Sequence, residues 1–91
     1  MPRLRIPDEV VALIRGLHPD LKRKIKVALR AILNDPYCGK DLKEELAGLL
    51  SFRVSRFRLV YRVSKKEDVE IVAVGPRERI YEETLRLLQK T

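Results

Sequence analysis

Hydrophobic positions recur with a helical period over the N-terminal part of the chain and with a shorter, strand-like period after residue 50. Arg3-Leu4-Arg5-Ile6 alternates charged and apolar residues, which predicts a short strand ended by Pro7. Asp8 and Glu9 stand where a helix N-terminus favours negative charge, and Val10, Val11, Leu13, Ile14 and Leu17 follow at helical spacing, with Gly16 as a stop. Pro19 suits the first turn of a second helix, where its missing N–H costs nothing. Leu21, Ile25, Ala28, Leu29, Ile32 and Leu33 form one apolar stripe along it, and Lys22, Arg23, Lys24, Lys26 and Arg30 fill the remaining surface. Asn34-Asp35-Pro36 ends this helix, because the residue before a proline is pushed out of the helical region.

Residues 37 to 50 are irregular, with Gly39 and Gly48 bracketing a polar and conceivably helical piece. From Ser51 to Val63 the apolar positions are β-branched or aromatic, which predicts two strands joined by a tight turn near Ser55-Arg56. Lys65-Lys66-Glu67-Asp68 reads as a polar connection. Val69 to Val74, with Glu70 as its only charge, reads as a central strand broken by Gly75-Pro76. Ile80, Tyr81, Thr84, Leu85, Leu87 and Leu88 predict a short terminal helix. The order strand, helix, helix, three strands, helix implies one small α+β domain over residues 1–91. Two N-terminal helices would pack on an antiparallel sheet of about four strands.

Composition narrows the chemistry. Twenty Lys+Arg against 13 Asp+Glu leave a formal net charge of +7, so polyanions are the expected partners. One cysteine, Cys38, cannot make an intrachain disulfide, and with His18 as the only histidine neither a zinc site nor a histidine-based triad is expected. No apolar run approaches the roughly 20 residues that span a bilayer, and the N-terminus has no signal-peptide core, so the expectation is a cytoplasmic protein without metal or cofactor.

The segment Ser51 to Val63 carries Arg53, Arg56, Arg58 and Arg62 and no acid. Such arginines can be the wet face of a sheet, but like charges on adjacent strands repel, which favours an anion-binding role. Arg77 and Arg79 follow the next strand. Tyr81 shares the stripe of Leu85 and Leu88 and so can be a core residue with its hydroxyl at the surface. Lys22 and Lys26 read either as a solvated helix face or as phosphate contacts. Phe52 and Phe57 alternate with arginines as a stacking surface would, but core packing is the expected use.

In three ordered stretches the chain resembles the RelE/ParE superfamily of toxins from toxin–antitoxin modules. Leu21 to Pro36 is similar to the second helix with its closing "DP". Arg53-Val54-Ser55-Arg56-Phe57-Arg58-Leu59-Val60-Tyr61 is similar to the "RVGDYRVIY" hairpin, and Gly75 to Tyr81 to the "GHRREVY" segment. The resemblance implies a RelE-like fold and a toxin that cuts mRNA in the ribosomal A site without a metal, a ribosome-dependent endoribonuclease or mRNA interferase that inhibits translation. The implied catalytic residues are Arg58 at the scissile phosphate, Arg77 on the transition state, and Tyr81 for stacking or proton transfer. Arg53, Arg56, Arg79, Lys22 and Lys26 would grip RNA. Two departures bear on the chemistry: Leu49 and Ser51 stand where mRNA-cleaving members carry lysines, and Pro76 stands where relatives have His or Lys. The alternatives are a ParE-like inhibitor of DNA gyrase without nuclease activity, and an inactive member that only binds its antitoxin. A cognate antitoxin, in a heteromeric complex, is the implied protein partner in every case.

Overall fold

A computed structural model describes residues 3–89 of the chain. Leu4–Arg5 forms strand β1, and two helices follow, α1 over Asp8–Arg15 and α2 over Pro19–Asn34. Lys40–Asp41 forms β2, a 3-10 turn spans Glu44–Leu46, and three longer strands come next: β3 over Leu50–Val54, β4 over Phe57–Val63 and β5 over Val69–Pro76. Helix α3 closes the order over Ile80–Leu88. Pro19 opens α2 as expected, and His18 caps it, its Nδ1 accepting from the Asp20 N–H at 3.2 Å. That gives the single histidine a structural use the sequence did not suggest.

The α+β architecture is as the pattern implied, with three differences in the sheet. It has five strands in the order β1-β5-β4-β3-β2, because the two-residue β2 adds to the β3 edge beside the four expected. Its outermost pair, β1 on β5, is parallel, and the other pairings are antiparallel. The Val69–Val74 strand is interior as expected, paired on both edges between β4 and the short β1, and β4 is the middle strand. Gly75-Pro76 does not break β5, since the strand runs through Pro76.

Between β4 and β5 the pairing passes from Val60↔Ala73 to Tyr61↔Ile71, so Val72 has no opposite residue and forms a bulge. The extra residue shifts the alternation of β5. Val69, Ile71 and Val74 therefore all reach the core under α1 and α2, with Ile25, Ile32, Leu59 and Tyr61. Ala73 instead joins a second, smaller core on the other face, made with Leu49, Val60 and Ile80 of α3. A sheet covered on both faces needs nearly continuous apolar strands, which is why β5 has no clean period of two.

The loop after α2 is tied to the centre of the sheet by one side chain. The Tyr61 hydroxyl donates to the Pro36 carbonyl at 2.8 Å and accepts from the Gly39 N–H at 3.1 Å. Burial pushes this phenol up to about 12, against the Gly39 N–H, which favours the phenolate. Gly39 fits because it lacks a Cβ, which would lie 2.5 Å from the Tyr61 hydroxyl.

Candidate functional site

The β3–β4 hairpin sets the positions of the arginines. Its two-residue turn, Ser55-Arg56, contains no glycine, and Ser55 itself takes the left-handed conformation with φ 57°. The register that follows puts Arg53 directly opposite Arg58 on the sheet face away from α1 and α2. Two cations in direct cross-strand register repel, and an anion laid over them would relieve the repulsion. On the far side of β4, Arg58 pairs with Gly75, where a Cβ would stand 3.1 Å from Ile80 Cδ1, so the absent side chain admits α3.

Arg58 is half-buried and holds a defined geometry. Its Nη1 donates to Ser51 Oγ at 3.1 Å, and the Tyr81 hydroxyl donates to the same oxygen at 3.3 Å. Ser51 is itself buried, fixed in the sheet between Lys40 of β2 and Val60 of β4. Among the described residues no protein atom accepts from the buried Arg58 Nε–H. A buried donor without an acceptor costs about 1–3 kcal/mol.

Arg77 directly follows the C-terminal end of β5. Its N–H donates to the Arg56 carbonyl at 2.8 Å, extending the β4–β5 ladder by one bond and fixing the segment after β5 beside the hairpin turn. Arg53, Ser55, Arg56, Phe57, Pro76, Arg77 and Glu78 line a cleft of about 440 Å³. Of the four hairpin arginines, only Arg62 meets a carboxylate among the described residues: it reaches Glu70 Oε2 at 3.1 Å, across the pair that the register aligns. The absence of acids within the hairpin segment therefore did not leave every arginine unpaired.

The structure brings Arg58 and Tyr81 together through Ser51, and Arg53, Arg56 and Arg77 around the cleft. Arg79 is exposed at the start of α3 and does not line the cleft. Lys22 and Lys26 also lie apart. The hollows where α2 meets the hairpin are lined by Arg23, Lys24 and Val27, and by His18, Asp20 and Leu21, with neither of those lysines. The Tyr81 ring packs against the second core, and its hydroxyl meets the buried Ser51. Phe52 and Phe57 both pack against the first core, and Phe57 also lines the cleft among the arginines.

Two members of the site were not singled out from the sequence. Ser51 entered only as a departure from a family lysine, although its spacing of two from Arg53 already put both on one strand face. Glu78 gave no signal, because its place in the cleft depends on how the chain leaves β5. The two positions where lysines were missing, Leu49 and Ser51, are both buried, at 6% and 2% exposure.

No described helix is long and apolar enough to cross a membrane. Comparison with curated proteins found no match. Among solved structures, the chain is similar to the RelBE2 toxin–antitoxin complex of Mycobacterium tuberculosis, at 28% identity and TM-score 0.72, covering 85% of this chain and 100% of that one. It is similar in fold to the isolated RelE toxin of E. coli, at 22% identity and TM-score 0.74, covering 97% and 99% of the two chains. The archaeal RelE–RelB complex of Pyrococcus horikoshii gives 21% identity and TM-score 0.70, covering 86% and 97%. Residues 5–81 match the profile of the ParE toxin of type II toxin–antitoxin system, parDE, so the chain belongs to that family and is a type II toxin of the RelE/ParE superfamily.

Proposed function

We propose that this toxin is a ribosome-dependent mRNA endonuclease that inhibits translation in the cytoplasm and is neutralised by a cognate antitoxin. The observation that carries the reading is the pair of hydrogen bonds that ties Arg58 and Tyr81 to one buried hydroxyl beside an arginine-lined cleft. Cleavage of RNA by its own 2′-hydroxyl needs no group from outside the two macromolecules. The 2′-oxygen attacks the adjacent phosphorus and loses its proton, the phosphorane collapses, and the 5′-oxygen leaves and takes up a proton. Arg58 suits the phosphorane, because a guanidinium donates to two oxygens at once and stays charged. Arg77 adds charge from the cleft, and Arg53 and Arg56 hold the flanking backbone, with Arg79, Lys22 and Lys26 as outlying RNA contacts. Tyr81 is the group for proton transfer, since the buried positions of Leu49 and Ser51 supply no base. The antitoxin partner is supported by the M. tuberculosis and P. horikoshii neighbours, which are toxin–antitoxin complexes.

Primer extension on mRNA bound to programmed ribosomes, with naked mRNA as control, tests the reading. Cuts are expected only with ribosomes present, and Arg77→Ala should abolish both the cuts and growth inhibition while thermal unfolding is unchanged. Absence of cuts in both samples would overturn the nuclease, and a supercoiling assay with purified gyrase would then separate a ParE-like inhibitor from a member that only binds its antitoxin.

A further inference from the structure

We infer that Ser51 is a positioning residue for the proposed cleavage: its hydroxyl is the joint that holds the Arg58 guanidinium and the Tyr81 phenol in one working geometry. The inference rests on the nuclease reading, but the geometry behind it stands on its own. Ser51 Oγ has two lone pairs and one proton. Arg58 Nη1, at 3.1 Å, and the Tyr81 hydroxyl, at 3.3 Å, take both acceptor sites. The joint is rigid because its backbone is held on both sides, in register with Lys40 of β2 and Val60 of β4, and its side chain is 2% exposed. Each of its two dependants needs it for a different reason.

Arg58 has a long side chain with many rotamers, and another cation, Arg53, stands directly across the strand pair. Without an acceptor on the sheet, that repulsion would turn the guanidinium out toward water. Ser51 lies two residues from Arg53 on the same strand face, a diagonal neighbour of Arg58, and so draws the fork back across the sheet. Held there, Arg58 keeps its Nε–H buried and without an acceptor among the described residues. Tyr81 stands in the first turn of α3, a helix of nine residues that comes last in the described chain. Its hydroxyl is the point where α3 makes a polar contact with the sheet, next to the apolar contact of Ile80. One oxygen therefore sets the distance between the charge-stabilising group and the proton-transfer group, although it touches no substrate itself.

The test measures ribosome-dependent cleavage at saturating and limiting ribosome concentrations for the full chain, for Ser51→Ala, for Tyr81→Phe and for the double variant. Ser51→Ala should lower the saturated rate about 10- to 100-fold, the cost of misplacing a reacting group by an ångström or so, while the half-saturating ribosome concentration changes less than about threefold. In the Tyr81→Phe background Ser51→Ala should cost less than it does in the full chain, because the Tyr81 contact is already gone and only the Arg58 contact remains to be lost. A merely structural serine would instead lower thermal stability and leave the saturated rate of the folded fraction unchanged. Multiplicative losses, or wild-type cleavage by Ser51→Ala, would overturn the inference.

Arginine Nε–H resonances give a second readout that does not depend on cleavage. In the full chain Arg58 should show a slowly exchanging Nε–H signal, which Ser51→Ala shifts and averages toward the position of solvated arginines. If the full chain cuts nothing and this signal still responds, the nuclease reading falls while Ser51 keeps its role as the joint. If the signal is indifferent to Ser51→Ala, the joint itself is disproved, whatever the cleavage assay returns.

Discussion

At the scale of single residues, Tyr61 and Gly39 form one device. The phenol sits fully inside the sheet and still satisfies two backbone groups of the loop after α2. Tyr61→Phe leaves the Gly39 N–H and the Pro36 carbonyl without this partner and should cost about 1–2 kcal/mol at neutral pH, read by urea unfolding. The pH dependence has a definite sign. A tyrosine in the unfolded chain ionises near 10, whereas this one holds its proton to about 12, so the unfolded chain deprotonates first as pH rises. The stability it contributes is complete below pH 10 and is lost between pH 10 and about 12, a fall of about 3 kcal/mol that Tyr61→Phe should lack. Gly39→Ala drives a Cβ toward the same hydroxyl and should destabilise by about 1–3 kcal/mol, seen as a lower Tm. His18, by contrast, shows how a residue without an evident role in the pattern finds one locally: its ring stands in for the Ser, Asp or Asn that more often caps a helix.

Elements explain how few residues are needed to build the site. The turn Ser55-Arg56 fixes the hairpin register, and from that register follow the facing of Arg53 and Arg58 and the diagonal approach of Ser51. Ser55 pays for the turn with a left-handed backbone, so Ser55→Gly should raise stability by up to about 1 kcal/mol without altering the register, read as a higher denaturant midpoint. Helix α3 supplies Tyr81, and its hold on the sheet is the fully buried Ile80 packed on Gly75. Ile80→Ala should cost about 2–5 kcal/mol and make α3 the first segment cut in limited proteolysis. The helical elements were legible because periodicity and proline punctuation are local signals, as Pro19 and Asn34-Asp35-Pro36 demonstrate. The charge alternation of Arg3 to Ile6 already gave β1, whereas the two-residue β2 was not read, since so short a strand exists only by virtue of the edge it joins.

For the whole molecule, the +7 charge is unevenly used. Arg62 is answered by Glu70 and Arg23 by Asp20, both exposed pairs of small energetic consequence, while Arg53, Arg56 and Arg77 meet around one cleft. Binding of a single-stranded RNA should therefore weaken linearly with the logarithm of salt concentration, and Arg53→Ala should reduce that slope by about 0.7, measured by fluorescence anisotropy. The same substitution at Arg62 should change it less, because its charge is already balanced by a carboxylate.

The sequence by itself determined the α+β class, the order of the longer elements, the apolar stripe of α2, the hairpin turn and the cluster of arginines around it, and with them the likeness to the RelE/ParE toxins. All of these are written in near-neighbour spacing, which the chain carries whether or not it is folded. Only the tertiary structure decided that β4 is the middle strand, that the Val72 bulge turns β5 toward two cores, and that Lys22 and Lys26 stand away from the cleft. It also decided which arginines a carboxylate answers, and that Ser51, Arg58 and Tyr81 share one oxygen. Each of these depends on groups far apart in the chain meeting at one point, and such meetings are set by packing and strand register that no local pattern records.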